Sequence, residues 1–293
     1  MNAARQDAFV KAMPIVFVLI WSTGFIVARF GMPNAPPMKF LAIRYALSIL
    51  CFLPWIWLAG VKWPQGAVQW RHLAVTGVLM HACYLGGVWA AVKAGMGSGL
   101  SSLIVGLQPV LTAFWLAGAG TAVSKRQWTG LVLGFAGLVM VVSRKFGTGG
   151  EANWLNLLLA MGALVGITVG TLYQKRYVAP CDVRTANAVQ LGAALLATLP
   201  LALLESEPVQ MNAQFAGAMA WSVLALTLGG SSLLYLLIQR GAAASVTSLM
   251  YLVPPVTALV AWLLFGEPIT LLTVAGTVIT AVGVSLVVRP ARA

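Results

Sequence analysis

A chain of 293 residues that is 60% hydrophobic and 8% charged, with a mean hydropathy of +0.91, carries too little polar surface for water-soluble domains. Its net charge of +12, from 18 Lys+Arg against 6 Asp+Glu, is scattered through short links and forms no basic helix or stripe, which excludes a nucleic-acid-binding face. Three cysteines without CxxC spacing, Cys51, Cys83 and Cys181, read as small apolar fillers and exclude a disulfide or metal framework.

Apolar runs lie near 13–31, 38–58, 72–92, 98–119, 127–143, 154–174, 184–204, 217–239, 244–265 and 270–288, each close to the length that spans a bilayer. The first follows a basic leader as a secretory signal would, but its counterpart in the second half makes it the first membrane helix. Trp21, Ser22, Thr23 and Gly24 sit near its middle. Arg44 stands about two turns into the second run, and the third holds His81 with Tyr84 on the same helix face. Gln108 and Pro109 interrupt the fourth, "IVGLQPVLTAF". The sixth carries Gly162, Gly166 and Gly170 at four-residue spacing, for internal packing or for a dimer contact between otherwise monomeric chains. The ninth contains Tyr251 and Pro255 in "MYLVPPVTALV" and ends at "FGEPIT", where Glu267 and Pro268 read as the start of the tenth helix. No link is long enough for a soluble domain.

A shift of 146 residues lays the chain on itself. It pairs Pro54 with Pro200, Pro109 with Pro255, and Gly24, Gly95, Gly120, Gly130 and Gly137 with Gly170, Gly241, Gly266, Gly276 and Gly283. Chance would supply about 0.3 proline and about 1.5 glycine pairs, so the matches mark a repeat. Residues 1–146 and 147–293 are therefore expected to be two five-helix copies forming one all-α, ten-helix transmembrane unit. Five being odd, the second copy is inverted. With the amino terminus inside, the inner segments hold 12 Lys/Arg and the outer ones 5, so both termini are predicted to be cytoplasmic.

With "SSLIVGLQPVLTAFWLAGAG" and "QWTGLVLGFAGLVMVV" in one half, and "TSLMYLVPPVTALVAWLLFGEPIT" and "VAGTVITAVGVSLVV" in the other, the chain resembles the EamA family of the drug/metabolite transporter superfamily over nearly its whole length. The first half departs from the pattern in having Thr121 where the second has Glu267. The resemblance implies an exporter of small metabolites in the bacterial inner membrane, working by alternating access, with amino acids prominent among the substrates. Trp21, Ser22 and Thr23 also resemble the YddG-type aromatic amino-acid exporters, whereas "GLQP" departs from the aromatic residues expected before the fourth helix's proline in that type.

Polar groups within the bilayer are costly, so Trp21, Ser22, His81, Tyr84, Gln108 and Tyr251 are the candidate substrate contacts, each with plain helix packing as its structural alternative. Pro109 and Pro255 are candidate hinges, because a proline within a membrane helix frees a carbonyl and permits bending. Arg44 reads as an anchor or a packing hydrogen bond, and Glu267 as a helix start with a gating role as the alternative. Trp63, Trp70, Trp128 and Trp154 suit an interfacial aromatic belt. No catalytic, metal or cofactor motif appears: His72 and His81, nine residues apart, point to opposite helix faces, and no nucleotide loop is present. The expected partners are a small-molecule substrate and membrane lipid. Drugs, quaternary amines and sugar-like metabolites are the alternative substrates, and a scaffold without flux is the remote alternative.

Overall fold

The computed structural model describes residues 3–118, 120, 124–146, 151–239 and 252–288, and these are almost wholly helical. In chain order the helices are α1 (Ala3–Gly31), α2 (Pro37–Leu58), α3 (Ala67–Lys93), α4 (Ser98–Val105), α5 (Gln108–Gly118), α6 (Lys125–Lys145), α7 (Trp154–Tyr177) and α8 (Val183–Leu204). There follow α9, built from Ala213–Trp221, Ser222–Ser231 and Ser232–Gln239, then α10 (Val253–Phe265) and α11 (Leu271–Val288). Seven helical spans among the described residues are long and apolar enough to cross a membrane; Val16–Gly31, Val253–Phe265 and Leu271–Val287 are shorter apolar segments.

In lipid the bulky apolar side chains belong outside and the small ones inside. Helix α6 shows this: Val132, Phe135 and Val139 are exposed on one stripe, while Gly130, Gly134 and Gly137 are buried on the other against α11. There the two helices run antiparallel with backbone nearly on backbone. A Cβ on Gly130 would stand 2.5 Å from the Gly283 carbonyl oxygen, and one on Gly137 the same distance from that of Gly276. A shift of 146 residues exchanges these two contacts. Helices α2 and α8, with Pro54 and Pro200 inside them, form a second close pair. The main apolar core lies among α1, α2, α3 and α9, where Phe40 stacks on Trp89 at 4.4 Å between ring centroids.

Two features differ from the sequence expectation. The fourth apolar run is broken at Gly106 and Leu107, so Pro109 is the second residue of α5, where its missing N–H deprives the helix of nothing. Pro255 likewise lies in the first turn of α10. A Cβ on Gly106 would meet Pro254 at 2.9 Å, so these two helix starts face each other. Secondly, α3 widens into a π-helix over Val78–Cys83 and α9 over Ser222–Ser231. Residues 78–83 shifted by 146 fall within the second segment.

Gly166 and Gly170 pack on α3 at Leu79, Met80 and Cys83, whereas a Cβ at Gly162 would meet nothing within 4 Å. Gly137→Val, which must separate two backbones, is expected to cost about 1–3 kcal/mol in detergent-solubilised protein, while Gly162→Ala leaves the thermal midpoint unchanged or raises it. Paired melting curves check this contrast.

Candidate functional site

Helices α1, α2, α3, α7, α8 and α9 line a cavity that opens partly to the outside. Its wall is built in pairs 146 residues apart. Met80, Leu85, Val88 and Trp89 of α3 correspond to Leu226, Ser231, Leu234 and Tyr235 of α9, and Arg44 of α2 corresponds to Gln190 of α8. Trp21 and Phe25 of α1, His81 and Tyr84 of α3, Gln174 of α7 and Asn187 of α8 complete the lining.

Polar neighbours repeat the pairing. The Arg44 Nε–H donates to Thr227 Oγ1 at 3.1 Å. His81 and Thr227 are themselves 146 apart, and His81 lies beside Gln190, the counterpart of Arg44, on the cavity wall. Carbonyls of both π segments also accept from side chains. Tyr45 Oη donates to the His81 carbonyl at 2.8 Å, and Thr227 Oγ1 donates five residues back to the Ser222 carbonyl at 2.9 Å. Gly77 lets the backbone at Gln190 approach α3 directly, a contact that any Cβ would obstruct. Trp21 lies parallel to Tyr84 with ring centroids 6.2 Å apart, and the Arg44 guanidinium sits 6.0 Å from the Trp89 ring centroid.

The sequence candidates are thus divided. Trp21, His81 and Tyr84 meet on the cavity. Arg44, read from sequence as an anchor or a packing hydrogen bond, makes such a bond to Thr227 and stands in the cavity wall with 4% exposure. Ser22 faces away: its hydroxyl donates to the Val18 carbonyl at 2.7 Å, the usual local satisfaction of a serine inside a helix. Gln108 also lies off the cavity, its amide donating to Thr171 of α7 at 3.0 Å. Tyr251 is outside the described residues. Missed in the sequence were Gln174, Asn187 and Tyr235; the last two could have been found by carrying the third helix's face and the Arg44–Gln190 pairing through the repeat.

Glu267 corrects another expectation. It is buried, and instead of capping α11 it reaches the N-terminus of α4, accepting the Ser98 and Gly99 N–H groups at 2.9 and 3.2 Å. Arg29, at the end of α1, donates to it at 2.6 Å. Other links tie the same end of the bundle: Lys145 to Glu151, Lys93 to Glu207, the Met38 and Lys39 N–H groups to Glu205, and Asn212 to Asn34. At the opposite end, Asp182 caps α8 and pairs with Arg184 beside it, whose hydrogen bond holds the Asp182 carboxyl below the usual range. Among the described residues no group of three His, Cys, Asp or Glu side chains is placed to hold a metal ion.

Removing one partner of a buried, multiply bonded carboxylate costs more than breaking an exposed pair. Glu267→Gln is expected to lose about 2–3 kcal/mol of stability, and Glu207→Gln, whose side chain is 59% exposed, under about 1 kcal/mol. Thermal unfolding of the two variants in one detergent gives the comparison.

The sequence profile of the EamA-like transporter family matches the chain twice, over residues 11–143 and 154–289. YvbV of Bacillus subtilis, named as an uncharacterized transporter, is 26% identical over 94% of this chain and 90% of its own length. The inner membrane transporter YedA of Escherichia coli K12, also uncharacterized, is 26% identical over 86% of this chain and 81% of its own. A Salmonella typhimurium protein named as a probable amino-acid metabolite efflux pump is 22% identical over 96% and 94% of the two chains. One crystal structure, 18% identical, superposes with a TM-score of 0.69 over 94% of each chain, which establishes a shared fold. With both halves matched by its profile, the chain belongs to the EamA-like transporter family, a family of multi-pass membrane transporters.

Proposed function

We propose that the chain exports small, partly apolar metabolites, amino acids first among them, across the bacterial inner membrane by alternating access. The observation that carries this reading is the cavity wall, ten of whose residues fall in pairs 146 apart on α2, α3, α8 and α9. Two copies that exchange conformations expose such a cavity to each side in turn. The seven long spans and three shorter apolar segments add up to ten crossings, five per half, with the second half inverted and both termini cytoplasmic by the Lys/Arg distribution. The name of the Salmonella relative supports amino acids as the substrate class. The aromatic wall of Trp21, Tyr84 and Trp89 favours one alternative, a quaternary amine held by cation–π contacts.

Purified protein in liposomes tests the reading by counterflow of labelled tryptophan, phenylalanine, methionine, threonine, a sugar and a quaternary amine. Saturable amino-acid flux is the expected result; flux of the sugar or amine alone retains the transporter and overturns the substrate class. In the same assay, Pro109→Ala with Pro255→Ala is expected to slow flux tenfold or more in protein of unchanged thermal stability. Both prolines stand at helix starts, where α4–α5 and α10 meet, and wild-type flux in the double variant would end the hinge assignment.

A further inference from the structure

Charge at the cavity is unbalanced. Arg44 is the one ionised side chain on its wall among the described residues, and Thr227 is its one hydrogen-bonded partner. Among the described residues no carboxylate bonds it. Glu267 and Glu151 are engaged at one end with Arg29 and Lys145, Glu205 and Glu207 tie loops at that same end, and Asp182 pairs with Arg184 at the other. Asp7, the sixth acid, precedes Trp21 by fourteen residues on α1, about 21 Å along the helix. A second donor waits nearby. Gln190, the counterpart of Arg44, has an amide Nε2 that is buried and has no acceptor.

A buried guanidinium whose terminal N–H groups have no acceptor among the described residues, beside an unbonded amide donor, suits a planar anion. The charge count among the described residues favours a single negative charge. A monocarboxylate brings the cavity to neutrality, a phosphate dianion leaves one excess negative charge, and a cation adds to the positive one. An amino-acid zwitterion meets Arg44 through its carboxylate but finds no anionic partner for its ammonium. Trp21, Tyr84 and Trp89 then receive the apolar body, with Arg44 already against the Trp89 ring.

Resting on the transporter reading above, we infer that the substrate class is monocarboxylates with an apolar or aromatic body, recognised through Arg44 and Gln190, and that the α-ammonium group of an amino acid is dispensable. Arg44 is therefore a specificity-determining residue of the site.

The test uses three probes that share a phenyl ring: 3-phenylpropionate, phenylalanine and phenylethyl-trimethylammonium. Calorimetry on purified protein in detergent gives their affinities, and counterflow of labelled phenylalanine and phenylpropionate in liposomes gives transport. Expected is binding of phenylpropionate at least as tight as that of phenylalanine, with no binding of the quaternary amine. Arg44→Gln weakens both acids at least tenfold, and Arg44→Lys, which keeps the charge without the fork, falls between. Binding of the amine in preference to phenylpropionate, or of phenylalanine alone, overturns the inference. So does flux of a sugar or amine without binding of either acid, while leaving the transporter reading intact. Arg44-dependent acid binding in protein that moves no solute sustains the carboxylate site and removes the transporter reading. The ranking in wild-type protein decides the class even if both Arg44 variants fail to fold.

Discussion

Inside a bilayer a helix has no water to which it can surrender a polar group, and every other feature of this bundle follows from how that constraint is met. Backbone groups satisfy themselves within helices, so helices are free to touch wherever side chains are small. At Gly130, Gly137, Gly276 and Gly283 they touch through the backbone itself. Polar side chains then bond locally, as Ser22 does to Val18, bond a neighbouring helix, as Gln108 does to Thr171, or collect around the cavity. Arg44, Thr227, His81 and Gln190 are that collection.

The architecture was readable because hydrophobic runs, prolines and glycines act locally. Pro109 and Pro255 mark helix starts while Pro54 and Pro200 stay inside continuous helices, and a glycine repeated at a fixed offset marks a close approach. What could not be read was whatever depends on a partner far along the chain. Glu267 looked like a cap for the helix that follows it, since a Glu-Pro pair has that local meaning; its actual partners are Arg29, 238 residues away, and the start of α4, 169 residues away at Ser98. Gln108 looked like a cavity residue because it is polar and central, yet the broken fourth run turns it toward Thr171. Trp21, His81 and Tyr84 reach the cavity as their depth implied, and Arg44 does so because α2 lies against α9 at Thr227.

Duplication gives the two halves one scaffold with different chemistry on it. Where one half has a guanidinium the other has an amide, and where one has an imidazole the other has a hydroxyl. Such a wall can move as a symmetric object and still bind a solute in one orientation, since only one of its two sides carries charge. Polar ties are also unequal between the ends of the bundle. Four of the six acidic residues link separate segments at the Glu267 end, whereas Asp182 at the other bonds a residue of its own helix start.

The π segments of α3 and α9 carry a further consequence, one of rotational phase. A π turn accommodates more residues than an α turn, so everything that follows it is turned about the helix axis relative to an uninterrupted helix. Had only α3 contained one, Val88 and Trp89 would have rotated away from the bearing of Leu234 and Tyr235, and a single numerical offset could no longer have brought both sets to the same cavity. Widening in both helices turns their later residues in the same sense. Deleting one residue from either segment would therefore reset the C-terminal part of that helix alone, turning its cavity-lining side chains away from those of its counterpart.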